Sequence, residues 1–122
     1  MRERRFDIRW LAVAIFCTAA TLVLTHLPQE TIPSVLRKSG LDKLQHALAY
    51  GVIMLLFLMA LKTPSNVLSV MRLFLVVAVI GVIDELTQGF ADRTPSIADF
   101  AANIVGMLVV ISFCTVRSMV ER

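Results

Sequence analysis

The sequence predicts an all-α integral membrane protein, a bundle of four transmembrane helices, and three observations carry that reading. The 122-residue chain is 57% hydrophobic, against about 45–50% in an ordinary globular domain. A soluble domain of this size buries only about two-thirds of its surface, so much of that excess would face water. The charged residues avoid four long stretches, and the short linkers between them hold turn-forming residues. Backbone polar groups in lipid must be satisfied internally, which leaves helices as the form these stretches take.

The helices are expected at about residues 10–27, 44–61, 72–90 and 96–116 of a single domain covering 1–122. Each approaches the ~20 residues needed to cross about 30 Å of hydrocarbon. Ahead of the first stretch, Arg2, Arg4, Arg5 and Arg9 look like the basic start of a signal peptide. The 18 positions from 10 to 27 exceed the 7–15-residue apolar core of such peptides, and no small-x-small cleavage site follows, so this helix is expected to be retained. Pro28 and Pro33 mark the first linker, where Ile32, Val35 and Leu36 beside Arg37 and Lys38 predict a short interfacial turn or helix. Thr63-Pro64-Ser65-Asn66 and Asp92-Arg93-Thr94-Pro95-Ser96 mark the other two.

The net charge of +3 and pI near 9.3 serve topology rather than nucleic-acid binding. Cytoplasmic N- and C-termini put Arg2, Arg4, Arg5, Arg9, Lys62, Arg72, Arg117 and Arg122 inside, and leave Arg37, Lys38, Lys43 and Arg93 outside. That distribution follows the positive-inside rule. Cys17 and Cys114 fall at different depths of their helices, which argues against a disulfide and for packing roles.

The informative residues are the polar ones that intrude on the helices. Each ionisable group in a membrane costs about 2.5 kcal/mol or more, so such groups face a partner or a water-filled cavity. Asp42, His46 and Tyr50 are spaced by four and share a stripe with Lys43 beside it. Asp84, Glu85 and Gln88 close the third helix, and Asp99 and Asn103 open the fourth. With the termini inside, all three groups fall in the outer leaflet, with Arg93 in the loop joining two of them. Residues 52–61 and 73–80, at the opposite depth, carry no charged or hydrogen-bonding side chain. One shared polar cavity open to the outside is the economical explanation.

Plainer readings exist for several members. Asp42 with Gln45 and Ser96 with Asp99 have the spacing of capping boxes. Lys43 and Tyr50 suit interfacial anchoring, and His46 a helix–helix hydrogen bond. Adjacent Asp84 and Glu85 in an apolar helix are neither caps nor anchors, and need a counter-charge, a metal or a proton. Ala47-x-x-x-Gly51, Ala98-x-x-x-Ala102 and Ala102-x-x-x-Gly106 permit close helix approach at the same depth.

Taken together, Asp42-Lys43-x-x-His46-x-x-x-Tyr50, Asp84-Glu85-x-x-Gln88, Arg93 and Asp99-x-x-x-Asn103-x-x-Gly106 resemble the VanZ-like family of bacterial membrane proteins, over roughly residues 41–110. Ala47 departs from the aromatic residue frequent there in the family, and Val110 stands about where a further glycine is common. The resemblance implies a multi-pass protein of the bacterial cytoplasmic (inner) membrane, a cell-envelope role and an association with glycopeptide (teicoplanin) resistance. It brings no established reaction.

Two classes of function follow. In the first, the pocket binds or acts on an envelope lipid or a lipid-linked cell-wall intermediate: Lys43 and Arg93 hold a phosphate or carboxylate, and His46 serves as acid or base beside Asp84 and Glu85. Asp42, Asp84, Glu85 and Asp99 with one imidazole also suit a hard divalent cation, although no motif assigns metal ligands. No serine or cysteine nucleophile stands at the cluster, since Ser96 reads as a cap. In the second, the network only fixes helix packing in a scaffold or partner-binding protein. Whether the protein is an enzyme, and its oligomeric state, stay open at this stage.

Overall fold

The computed structural model describes residues 6–62 and 66–121. Arg2, Arg4, Arg5 and Arg122, and the turn residues Thr63, Pro64 and Ser65, lie outside the described residues. The chain is all-helical: α1 (Ile8–Thr25), α2 (Ser39–Ala60), α3 (Val67–Thr87) and α4 (Ile97–Val120). All four are long and apolar enough to cross a membrane. The extended pair among the described residues is a single bridge between Phe6 and Leu61.

Caps explain where the helices begin. Asp7 Oδ1 accepts from the Arg9 amide at 2.9 Å and starts α1, while the Asp7 amide donates to Ala60 O at 2.8 Å. The start of α1 is thereby tied to the end of α2. Asn66 Oδ1 accepts from Leu68 N and Ser69 N at 3.0 and 3.3 Å, so α3 begins at Val67 and takes in Arg72, which is exposed. Ser96 Oγ accepts from Asp99 N at 3.3 Å and starts α4. The Asp42–Gln45 capping box does not form. Helix α2 begins earlier than expected, at Ser39 after Lys38, and the Asp42 amide already donates to Lys38 O at 2.9 Å. Gln45 Nε2 donates instead to Leu36 O at 3.0 Å and steadies the preceding loop. That loop holds a 3-10 turn, Gln29–Thr31, followed by tight turns in which the Leu36 amide donates to Pro33 O at 2.9 Å and the Arg37 amide to Ser34 O at 3.3 Å, in keeping with the short turn expected there.

Helix α3 tightens at its end into a 3-10 turn, Gln88–Ala91. Asp92 then adopts the left-handed conformation, φ 54° and ψ 31°, which a short polar side chain tolerates. The Arg93 amide donates back to Gln88 O at 3.2 Å, so the reversal returns Arg93 toward the bundle.

Helix α2 is the hub: it packs most extensively on α4, next on α1, and touches α3. Small residues set the α2–α4 approach. A Cβ on Gly106 would overlap the Ala47 carbonyl and lie 2.9 Å from Ala47 Cα, and one on Gly51 would lie 3.2 Å from Gly106 O. Ala98 is exposed and takes no part in this seam. Tyr50, Ile53, Met54, Val77 and Met107 form the centre of the apolar core. Outward-facing apolar residues are abundant: Phe16 is 73% exposed, and Leu86 and Phe113 are each 66% exposed. A surface of that kind suits lipid, not water.

Candidate functional site

The antiparallel order brings the end of α1, the start of α2, the end of α3 and the start of α4 to one end of the bundle. On α2 the four-residue spacing of Asp42, His46 and Tyr50 makes a continuous stripe, with His46 and Tyr50 buried and Asp42 half-buried. The other polar residues gather behind this stripe.

Asp84 and Glu85 are adjacent, so they leave α3 about 100° apart and meet different neighbours. Asp84 is fully buried and faces α1 and α2: it accepts from Tyr50 Oη at 2.9 Å and from the Thr25 hydroxyl. Glu85 faces the start of α4. Its Oε2 accepts from the Ser96 amide at 3.2 Å, and its Oε1 accepts from Gln88 Nε2 at 3.3 Å. This completes the Ser96 cap in an unexpected way. In a capping box the acidic residue three positions on would reach back to the Ser96 amide. Glu85 takes that role from another helix and leaves the Asp99 carboxylate facing α2.

His46 joins the two helices. Its Nδ1 lies 3.0 Å from Asn103 Oδ1 and 3.5 Å from Glu85 Oε1, and its Nε2 lies 3.8 Å from Asp99 Oδ2. The expected approach of His46 to the Asp84–Glu85 pair is therefore made through Glu85, with Asn103 in the same cluster. Lys43 Nζ stands 3.5 Å from Asp99 Oδ1 and does not line the cavity described below. Arg93 is committed in part: one amino group donates to Thr25 O at 2.9 Å, capping the C-terminal end of α1, and the other lies 4.0 Å from Asp42 Oδ1. A guanidinium carries five N–H donors, so it retains donors for a further partner.

The sequence reading missed the contribution of α1. Beyond Thr25, His26 lies at the helix end with Nδ1 2.8 Å from Leu22 O and 3.6 Å from Asp84 Oδ1, while Nε2 lies 2.8 Å from Thr87 Oγ1. The signal was present in the chain: Thr25-His26 falls at the same depth as the other polar groups, but carries no formal charge to mark it.

Beside the stripe lies a cavity of about 380 Å³, lined by Thr25, Arg37, Asp42, His46, Tyr50 and Arg93 among others. An apolar groove between α1 and α2, lined by Cys17, Ala20, Val52 and Ile53, runs on from it; Thr21, Leu24, Leu48 and Ala49 border both. The cavity thus has cations and an imidazole at one end and an open hydrocarbon-lined slot at the other. The hydroxyls nearest the carboxylates are engaged: Tyr50 and Thr25 donate to Asp84, and Ser96 caps α4.

Asp42, His46 and Asp99 each offer an atom within 4.8 Å of the other two, a spacing able to hold a metal ion. Compared with known proteins, the chain matches no family model, no curated protein and no solved structure.

Proposed function

We propose that the chain is a VanZ-like, multi-pass protein of the bacterial cytoplasmic membrane whose polar cavity binds, or acts on, the head group of an envelope lipid or lipid-linked cell-wall intermediate. The observation that carries this reading is the continuity of the polar cavity with the apolar groove between α1 and α2. An amphiphile needs both halves: cations for a phosphate or carboxylate, and a hydrocarbon wall for a chain. Arg37 and Arg93 supply the first, and Cys17, Ala20 and Val52 line the second. The basic residues favour cytoplasmic termini, a topology that would put the cavity in the outer leaflet, where a lipid head group can enter it sideways.

A scaffold is the competing reading, and one observation favours it. The Glu85–Ser96, Asp84–Thr25 and Arg93–Thr25 bonds each join two elements, as a purely structural network would. The two readings separate on Leu48→Trp, which fills the junction of cavity and groove at a site already 60% exposed. Native mass spectrometry of the purified protein should find a co-purifying anionic lipid in the wild type and its loss in this variant at unchanged melting temperature. Equal lipid retention by both proteins would remove the lipid reading and leave the scaffold.

A further inference from the structure

We propose that Asp42, His46 and Asp99 bind one divalent transition-metal ion, of the Mn²⁺ or Zn²⁺ type, at the boundary between the cavity and the buried network. The proposal deepens the head-group reading of the same pocket and rests on it for the ion's purpose, not for its binding. Asp42 and His46 are four apart on α2 and so project from one face, and Asp99 meets them from α4.

Two further observations distinguish this triad from a mere gathering of acids. Asp99 is only 7% exposed, yet its Oδ1 has no hydrogen-bond partner among the described residues. Lys43 Nζ at 3.5 Å, on a side chain 43% exposed, is beyond ordinary hydrogen-bond length. The Lys43 ammonium is thus the sole compensation of this oxygen among the described residues, and a cation bound by the Asp99 carboxylate would add to it.

The second observation is the orientation of His46. Its Nδ1 faces Asn103 Oδ1 at 3.0 Å and the Glu85 carboxylate at 3.5 Å, partners that suit a donor at this nitrogen and leave Nε2 to act as a ligand atom. Nε2 makes no hydrogen bond among the described residues and lies 3.8 Å from Asp99 Oδ2. A cation placed between Nε2 and Oδ2 would be held by both atoms. A ring whose far N–H is held by an oxygen while the other nitrogen is free is the arrangement found around metal-bound histidines. Ligand atoms about 2.1 Å from one ion stand about 3–4 Å apart, so the triad closes with side-chain shifts of less than about 1 Å. Two carboxylates and one imidazole suit Mn²⁺ or Zn²⁺, whereas Ca²⁺ takes six to eight oxygens. The remaining coordination positions would open toward the cavity, where a phosphate or carboxylate oxygen can enter.

The test uses the full chain in detergent, stripped with chelator and titrated with Mn²⁺ while free Mn²⁺ is followed by electron paramagnetic resonance. One saturable site is expected, with Zn²⁺ competing for it and a nitrogen coupling from one imidazole on the bound ion. His46→Gln should abolish that coupling, Asp99→Asn should weaken binding at least about tenfold, and Asn103→Ala should weaken it by roughly 10–100-fold through the loosened ring. Asp84→Asn, outside the triad, should leave it intact. No saturable site in the wild type, or bound Mn²⁺ without a nitrogen coupling, overturns the proposal, and neither result depends on whether a variant folds. Lipid retention measured on the same protein reloaded with Mn²⁺ keeps the two readings apart. Loss of lipid with metal binding intact counts against the head-group reading alone, and retained lipid with no metal site counts against the ion alone.

Discussion

Asp84 and Glu85 show how one turn of helix divides labour between neighbouring carboxylates. Asp84 draws on hydroxyls from α1 and α2, and Glu85 completes the cap of α4. Tyr50→Phe deletes the 2.9 Å bond to a fully buried carboxylate, so it should destabilise the protein by about 1–3 kcal/mol in a detergent unfolding assay. Unchanged stability would mean that Asp84 is not held by Tyr50. Glu85→Gln is less conservative than its shape implies. If its oxygen continues to accept from Ser96, the new amide NH₂ faces the Gln88 Nε2 donor, a meeting of two donors. It should therefore lower the melting temperature rather than relieve a buried charge. His46→Gln is the cleaner probe of function. The proposed site requires normal folding with loss of the envelope phenotype, read as drug susceptibility or lipid composition, and a normal phenotype would refute it.

At the scale of the helices, hydropathy located four elements but misplaced two of their starts. Charge-free runs mark where side chains become apolar, whereas a helix begins where its backbone amides find a cap. Helix α2 accordingly includes Asp42 and Lys43, and α3, capped by Asn66, includes Arg72. The polar stripes were legible because four-residue spacing survives such shifts, and the Ser96 cap was legible from its motif. The part played by Glu85 in that cap was not, since it crosses between helices. Thr25 and His26 escaped notice because nothing but depth distinguishes them. The Ala47–Gly51 and Gly106 seam was also readable, and it gives a sharp test. Gly106→Ala places a methyl where the Ala47 carbonyl stands, so α2 and α4 must separate at a cost of roughly 1–3 kcal/mol. The drop should appear as a lower melting temperature, and a neutral outcome would contradict the packing of this seam.

For the whole molecule, the polar ends of four helices lie together, and the opposite end carries the bridge of Phe6 to Leu61 and no comparable polar cluster among the described residues. Cysteines placed at Val35 and Met119, both exposed, should react respectively from outside the cell and only after permeabilisation. The reverse pattern would move the cavity to the cytoplasmic leaflet and with it the class of lipid it meets. The most direct test of the central claim is an experimental structure of the protein extracted with its native lipids. The account predicts a phosphate or carboxylate within about 3 Å of the Arg37 or Arg93 guanidinium, continuous with a hydrocarbon chain lying along Cys17 and Val52 between α1 and α2. A cavity holding only water, with ordered lipid confined to the outer faces of the bundle, would contradict it.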